Sequence, residues 1–167
     1  GMSGFMSVTG TADTGPLRAG IPVADSSTGL VAGFAVLAKL FEKAKSGVGG
    51  QVSTSLMQTM TFMMTYQAQK YLSLGIVPTM EGNDHPLIFP QGTFRTRDGH
   101  VTIASGNQRM WEQLAGVLGL GELLRDQRFS TNGSRLDNRV QLRKLMEEQL
   151  AGKDSADWIN IINRAGV

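Results

Sequence analysis

The segment Gly20-Ile21-Pro22-Val23-Ala24-Asp25-Ser26-Ser27-Thr28-Gly29-Leu30, with the apolar run Val31 to Ala38 behind it, constrains the fold of this chain more than any other stretch. Pro22 stiffens the approach. Asp, Ser and Thr start helices because their side-chain oxygens accept bonds from the first free backbone N–H groups. The residues that follow are apolar on nearly every side, so a helix from about Asp25 to Lys45, ending at Ser46-Gly47, is expected to be buried. Gly29 and Gly33, one turn apart, leave a flat strip where a backbone or a ligand can approach. The positive end of a helix macrodipole is a favourable place for a carboxylate anion. Such an anion in a partly dry site is a candidate nucleophile. On spacing alone, the simpler reading of Asp25 is a helix cap.

The bulk numbers narrow the classes. At 167 residues the chain fits one ordinary domain or two small ones. An apolar fraction of 41% still supports a core, despite 21 glycines. A net charge of +2 with mixed signs creates no field for nucleic acid. Without cysteine there are no disulfides and no thiolate metal sites, which is compatible with a cytoplasmic location. The longest uncharged apolar run, Leu30 to Ala38, is half of what a membrane span needs, so no membrane association is expected. Both ends look cut, and the chain reads as part of a longer protein.

Residues 1–24, dense in glycine and proline, read as loop. Gln51 to Ser55 is a short β-like stretch, and Ser46-Gly47-Val48-Gly49-Gly50 lacks the Lys-Ser/Thr of a phosphate loop. A second helix is predicted over about Leu56 to Leu74. Met57, Met60, Met64 and Tyr71 lie on one face of it, a stripe better read as core than as a binding surface. Ile76 to Gln91, with Pro78, Pro86 and Pro90, reads as a connection. Its lone His85 has no partner at metal-ligand spacing, so no metal site is expected. Alternating residues on either side of Asp98-Gly99 predict a β-hairpin over 92–104. Helices are predicted over Gln108–Leu118, around Glu122–Leu124, over Arg135–Leu150 and over Ser155–Asn163. In the third of these, Leu136, Val140, Leu142, Leu145, Met146 and Leu150 are assigned to the core. Arg135, Arg139 and Arg143 are assigned to a solvated face. The expected class is α+β, mostly helical. Residues 1–75 belong to a larger domain with a buried helix pair, 76–91 to a linker and 92–167 to a small α+β domain.

Several of these segments, in this order, resemble the class III CoA-transferases, the CaiB/BaiF family. They are Ser3-Gly4-Phe5-Met6-Ser7-Val8-Thr9-Gly10, Gly20 to Asp25 with Gly29-Leu30, and Ser46 to Val52. His85-Pro86 with Pro90, Phe94-Arg95-Thr96 with Asp98-Gly99, and Asp126-Gln127-Arg128-Phe129 with Asn132 and Arg135 continue the likeness. The resemblance implies that Asp25 is the catalytic aspartate. It would attack an acyl-CoA thioester to give a mixed anhydride, and the released thiolate would then form an aspartyl-CoA thioester. Ser26 and Ser27 amides are expected oxyanion donors, and Leu56 is expected near the CoA, with a plain core role as its alternative. The partners implied are an acyl-CoA, a carboxylic acid and a second copy of the chain in an interlocked homodimer. Coenzyme A serves as substrate, and no tightly bound cofactor is expected. Two alternatives stay open: an acyl-CoA racemase or isomerase using Asp25 as acid or base, and an inactive truncated product that only dimerises.

Overall fold

The long apolar segment forms α1 (Val23–Ser46) in the computed structural model of the chain, which describes residues 1–167. Its C-terminus is closed by Gly47, whose φ of 76° places it in the left-handed region while its N–H donates to the Lys43 carbonyl. Its start differs from the expectation. Pro22 occupies the cap position without a side-chain bond, and Asp25 sits inside the first turn. No residue of α1 is buried within the chain; Phe34 is 73% exposed and Leu37 64%. The expected burial is therefore not provided by these residues, because α2 (Leu56–Met63) is the element that packs along α1. By length and composition α1 is also apolar enough to cross a membrane, a property that counting only its uncharged run had concealed.

The chain divides into two compact units, Gly1–Gly82 and Asn83–Val167. In the first, the glycine-rich opening is more ordered than a loop. A short ladder pairs β1 (Gly10–Thr11) with β2 (Gly15–Pro16), and Thr11 and Thr14 exchange amide-to-hydroxyl bonds of 2.9 and 3.1 Å across its turn. Gln51 to Ser55 forms no strand; Ser55 instead caps α2 by accepting from the Gln58 N–H at 3.1 Å. The single helix expected over Leu56–Leu74 is two, α2 and α3 (Thr65–Leu74). The break falls at Thr65, whose φ of 41° interrupts the ladder at a residue with no sequence signature of a breaker. Of the methionine stripe, Met60 is buried and Met57 is exposed.

The second unit contains the main core. β3 (Gln91–Arg95) and β4 (His100–Ala104) form an antiparallel hairpin with Phe94 opposite Val101 and Gly92 opposite Ile103. These four residues face inward while Thr102 and His100 face solvent, the period-two pattern of a half-buried sheet. The turn lies one residue earlier than an Asp-Gly turn. Arg95 pairs with His100 and the Thr96 N–H donates to the Gly99 carbonyl, so Arg97-Asp98 form the tip. Asp98 is thereby freed for another task described below. Gly92 is required by contact: a Cβ there would lie 2.2 Å from Asp84 Oδ1. That carboxylate is held by Arg143, whose Nη1 also donates to the Thr93 carbonyl at 2.8 Å.

Around the hairpin stand α4 (Gln108–Val117), α5 (Asn132–Asp137), α6 (Arg139–Leu150) and α7 (Ser155–Arg164). Phe94, Trp111, Leu114, Phe129, Leu142, Met146 and Leu150 are among the fully enclosed side chains between them. The helix expected over 135–150 breaks at Asn138, and the break shifts its helical phase. Val140, assigned to the core, is 80% exposed, whereas Arg135, assigned to solvent, is 3% exposed. Arg143 is likewise drawn inward, over the Phe94 ring at 4.4 Å.

The Asp98 carboxylate reaches from the hairpin tip to the start of α7. It accepts from the Ser155 N–H at 2.7 Å, the Ser155 hydroxyl at 2.8 Å and the Thr96 hydroxyl at 3.2 Å. The Ser155 amide leads the causes that hold its pKa below the ordinary carboxylate value. A depressed folded pKa stabilises the fold above the unfolded carboxylate value, and the benefit disappears as pH falls through the folded one. The stability gap between wild type and Asp98→Asn should therefore be full at neutral pH and close on acidification, as read by denaturant melts at stepped pH. In the same melts at neutral pH, Phe94→Ala should cost about 3–5 kcal/mol, the usual loss for an enclosed aromatic ring.

Candidate active site

In the first unit the opening of α1 forms one wall of a cavity of about 370 Å³. Asp25, Ala24, Arg18, Phe5 and Met60 line it. Two causes put Asp25 there. Pro22 turns the chain into the helix, and the Val23 N–H is already occupied by the Ile21 carbonyl at 2.8 Å. The Asp25 carboxylate makes no hydrogen bond and no ion pair within the chain, so both of its oxygens are available. By contrast Asp84, Asp126 and Asp154 are each held by an arginine. Arg18 brings a cation to the same cavity, with its Nε donating to the Ala19 carbonyl at 3.2 Å.

The expected oxyanion donors need correction. The Ser26 N–H donates to the Pro22 carbonyl at 3.0 Å as the first helical bond, and neither Ser26 nor Ser27 lines the cavity. Because Asp25 lies inside the first turn, the unmatched N–H groups of this helix start belong to Ala24 and Asp25 themselves. Leu56 is half exposed and lines a neighbouring depression of about 300 Å³, which shares Gly1, Ser3, Ala24 and Met60 with the Asp25 cavity. The structure thus brings Asp25 and Leu56 to adjoining hollows and leaves the two serines aside. Arg18 was missed by sequence reasoning because a lone arginine in a glycine-rich loop carries no periodic signal.

The last family-like motif has a structural role. Asn132 accepts from the Phe89 N–H at 3.1 Å and donates to the Leu87 carbonyl at 2.9 Å. The Arg135 Nε donates to the Phe89 carbonyl at 2.7 Å, and its Nη1 reaches the Phe129 carbonyl at 3.1 Å and Gln108 Oε1 at 3.0 Å. Arg128 and Asp126 close on each other at 2.5 Å beside them, and this pairing holds the Asp126 carboxyl below its ordinary pKa. His85 accepts from the Leu87 N–H at 3.2 Å in the same region.

Residues 1–167, the whole of the chain, match the family described as CoA-transferase family III, and the chain belongs to that family. A succinate–glutarate CoA-transferase of Agrobacterium fabrum is 36% identical over 149 residues, covering 89% of this chain and 37% of its own length. The human succinyl-CoA:glutarate CoA-transferase is 30% identical over 166 residues, 99% of this chain and 38% of that protein. Among solved structures, a CaiB/BaiF family protein from Brucella suis is 36% identical with a TM-score of 0.78, matching 99% of this chain and 44% of that one. A Mycobacterium tuberculosis protein superposes with a TM-score of 0.84 at 25% identity, over 99% of this chain and 43% of its own. The chain therefore spans well under half the length of these relatives.

Proposed function

We propose that this chain carries the nucleophile of a CoA-transferase that moves coenzyme A from an acyl-CoA to a carboxylic acid. The observation that supports it most directly is the unpaired Asp25 carboxylate in the first turn of α1, lining a cavity with Arg18. An Asp25 oxygen attacks the thioester carbon, the carbon–sulfur bond breaks, and CoA thiolate leaves an acyl-aspartyl anhydride. The thiolate then attacks the aspartyl carbonyl, releasing the donor acid and leaving an aspartyl-CoA thioester. The acceptor carboxylate displaces thiolate from this thioester to form a second anhydride. Thiolate attack on the acceptor's acyl carbon then yields the new acyl-CoA and free Asp25. Each step builds negative charge on a carbonyl oxygen, and the unmatched Ala24 and Asp25 N–H groups and the positive helix end are the local groups suited to stabilise it. The names of the relatives, succinate–glutarate and succinyl-CoA:glutarate CoA-transferase, support a short dicarboxylic acid as acceptor and a transferase over a racemase.

We place Leu56 beside the CoA on the strength of its hollow adjoining the Asp25 cavity. No residue is assigned to a tightly bound cofactor or metal, and the absence of cysteine is compatible with a cytoplasmic enzyme. The exposed Leu30, Phe34, Leu37, Leu40 and Phe41 of α1 support a homodimer in which a second copy covers this helix.

Asp25→Ala in the full-length enzyme should lower transfer by about a thousandfold or more, since the covalent route is lost. The fold should survive, because the side chain bonds to nothing in the chain. Near-normal turnover would remove Asp25 from the mechanism. Trapping during turnover should give a covalent adduct on wild type and none on the variant, whereas proton transfer alone would give none on either. The 167-residue chain by itself should scatter light as a dimer or larger species and show no acyl exchange; a monomer would count against the covering partner.

A further inference from the structure

The second unit holds a cavity of about 520 Å³, larger than the one beside Asp25, and the proposed chemistry makes no use of it. Its wall includes Ser105, Asn107, Gln108, Asn132 and Arg135, and no aspartate or glutamate. Arg135 is 3% exposed and forms no ion pair. Its bonds go to the neutral oxygens of Phe89, Phe129 and Gln108, and Nη2 has no acceptor in the chain. Burial alone pushes its pKa down, as expected for a guanidinium without a counter-charge. A buried charge left unpaired is costly, so such a cation normally has an anion beside it.

Two further features point the same way. The cavity meets the start of α4, where the Asn107 side chain takes the Met110 N–H at 3.0 Å and the Asn107 carbonyl takes that of Trp111. The N–H groups of Gln108 and Arg109 are left without partners. Ser105, 2% exposed and part of the same wall, has a hydroxyl with no hydrogen-bond partner. A buried polar group in this state is satisfied by a bound species or it costs stability.

We infer that this cavity binds the carboxylate end of a small organic acid, between Arg135 Nη2, the Ser105 hydroxyl and the first amides of α4. One guanidinium nitrogen, one hydroxyl and two amides suit an oxyanion, and the single cation among them matches the single charge of a carboxylate end. A short dicarboxylic acid fits within the cavity with room to spare. That glutarate is the acid to try rests on the function proposed above; that the site takes an anion does not.

The test is calorimetry with glutarate and, separately, with inorganic phosphate at matched ionic strength on the 167-residue chain, together with hydrogen exchange across residues 105–111. Glutarate should bind saturably and slow exchange at the Gln108 and Arg109 amides. Ser105→Ala, which removes a hydroxyl that bonds to nothing in the chain, should keep the fold and weaken glutarate several-fold. Absence of saturable binding, unchanged affinity in the variant, or protection elsewhere would each overturn the inference. Tighter binding of phosphate to the same amides would overturn the carboxylate assignment. Binding is read without turnover, so glutarate binding with an active Asp25→Ala enzyme would sink the transfer mechanism alone. A dependence of turnover on Asp25 without glutarate binding would sink this site alone.

Discussion

The Arg135 guanidinium is the interaction on which the second unit depends. It joins the carbonyl of Phe89, which leads into the hairpin, to that of Phe129, which precedes α5, and to Gln108 at the start of α4. Three segments well separated in sequence are fixed by one side chain with rigid fork geometry. Asn132, one turn earlier on α5, grips both polar groups of the same 87–89 segment. A lysine would supply the charge but not three bonds in these directions. The ring of Trp111 lies against the guanidinium at 5.3 Å, so the polar clamp and the apolar core share a face.

In the first unit the governing constraint is the phase of α1. Because Pro22, not Asp25, takes the cap position, the carboxylate points from the first turn without being spent on the helix's own amides. A capping aspartate would have its oxygen tied to the backbone two or three residues on. The same shift releases the Ala24 and Asp25 amides and consumes that of Ser26. A displacement of three residues in the cap position thus decides which groups remain available for chemistry.

Much of this was legible in the sequence. The hairpin followed from alternation and α4 and α7 from their apolar faces, whereas the role proposed for Asp25 rests on the family resemblance rather than on its spacing. What was not legible has a common cause: irregularities at single residues without a breaker's signature. Thr65 splits a helix at a positive φ, and Asn138, at a φ of -107°, ends another without Gly or Pro. The second break rotates the pattern, so that an arginine read as surface lies inside and a valine read as core lies outside. Periodicity assumes an unbroken phase. The cavity wall of Ser105, Gln108 and Arg135 suffered the same fate, since its members come from two segments that only the fold brings together.

The reach of Asp98 to Ser155 has a consequence for how the two ends of this unit share their stability. The two residues are separated by 57 positions, and the contact closes a loop through α4, α5 and α6. Closing such a loop carries an entropy cost that local helix formation does not. A helix as short as α7, ten residues, is marginal in water without its tertiary partners. Its anchoring carboxylate belongs to the β3–β4 turn, 57 positions away in the chain. The N-terminal anchor of the last helix is therefore coupled to the hairpin tip: a change that loosens the β3–β4 turn also loosens the start of α7.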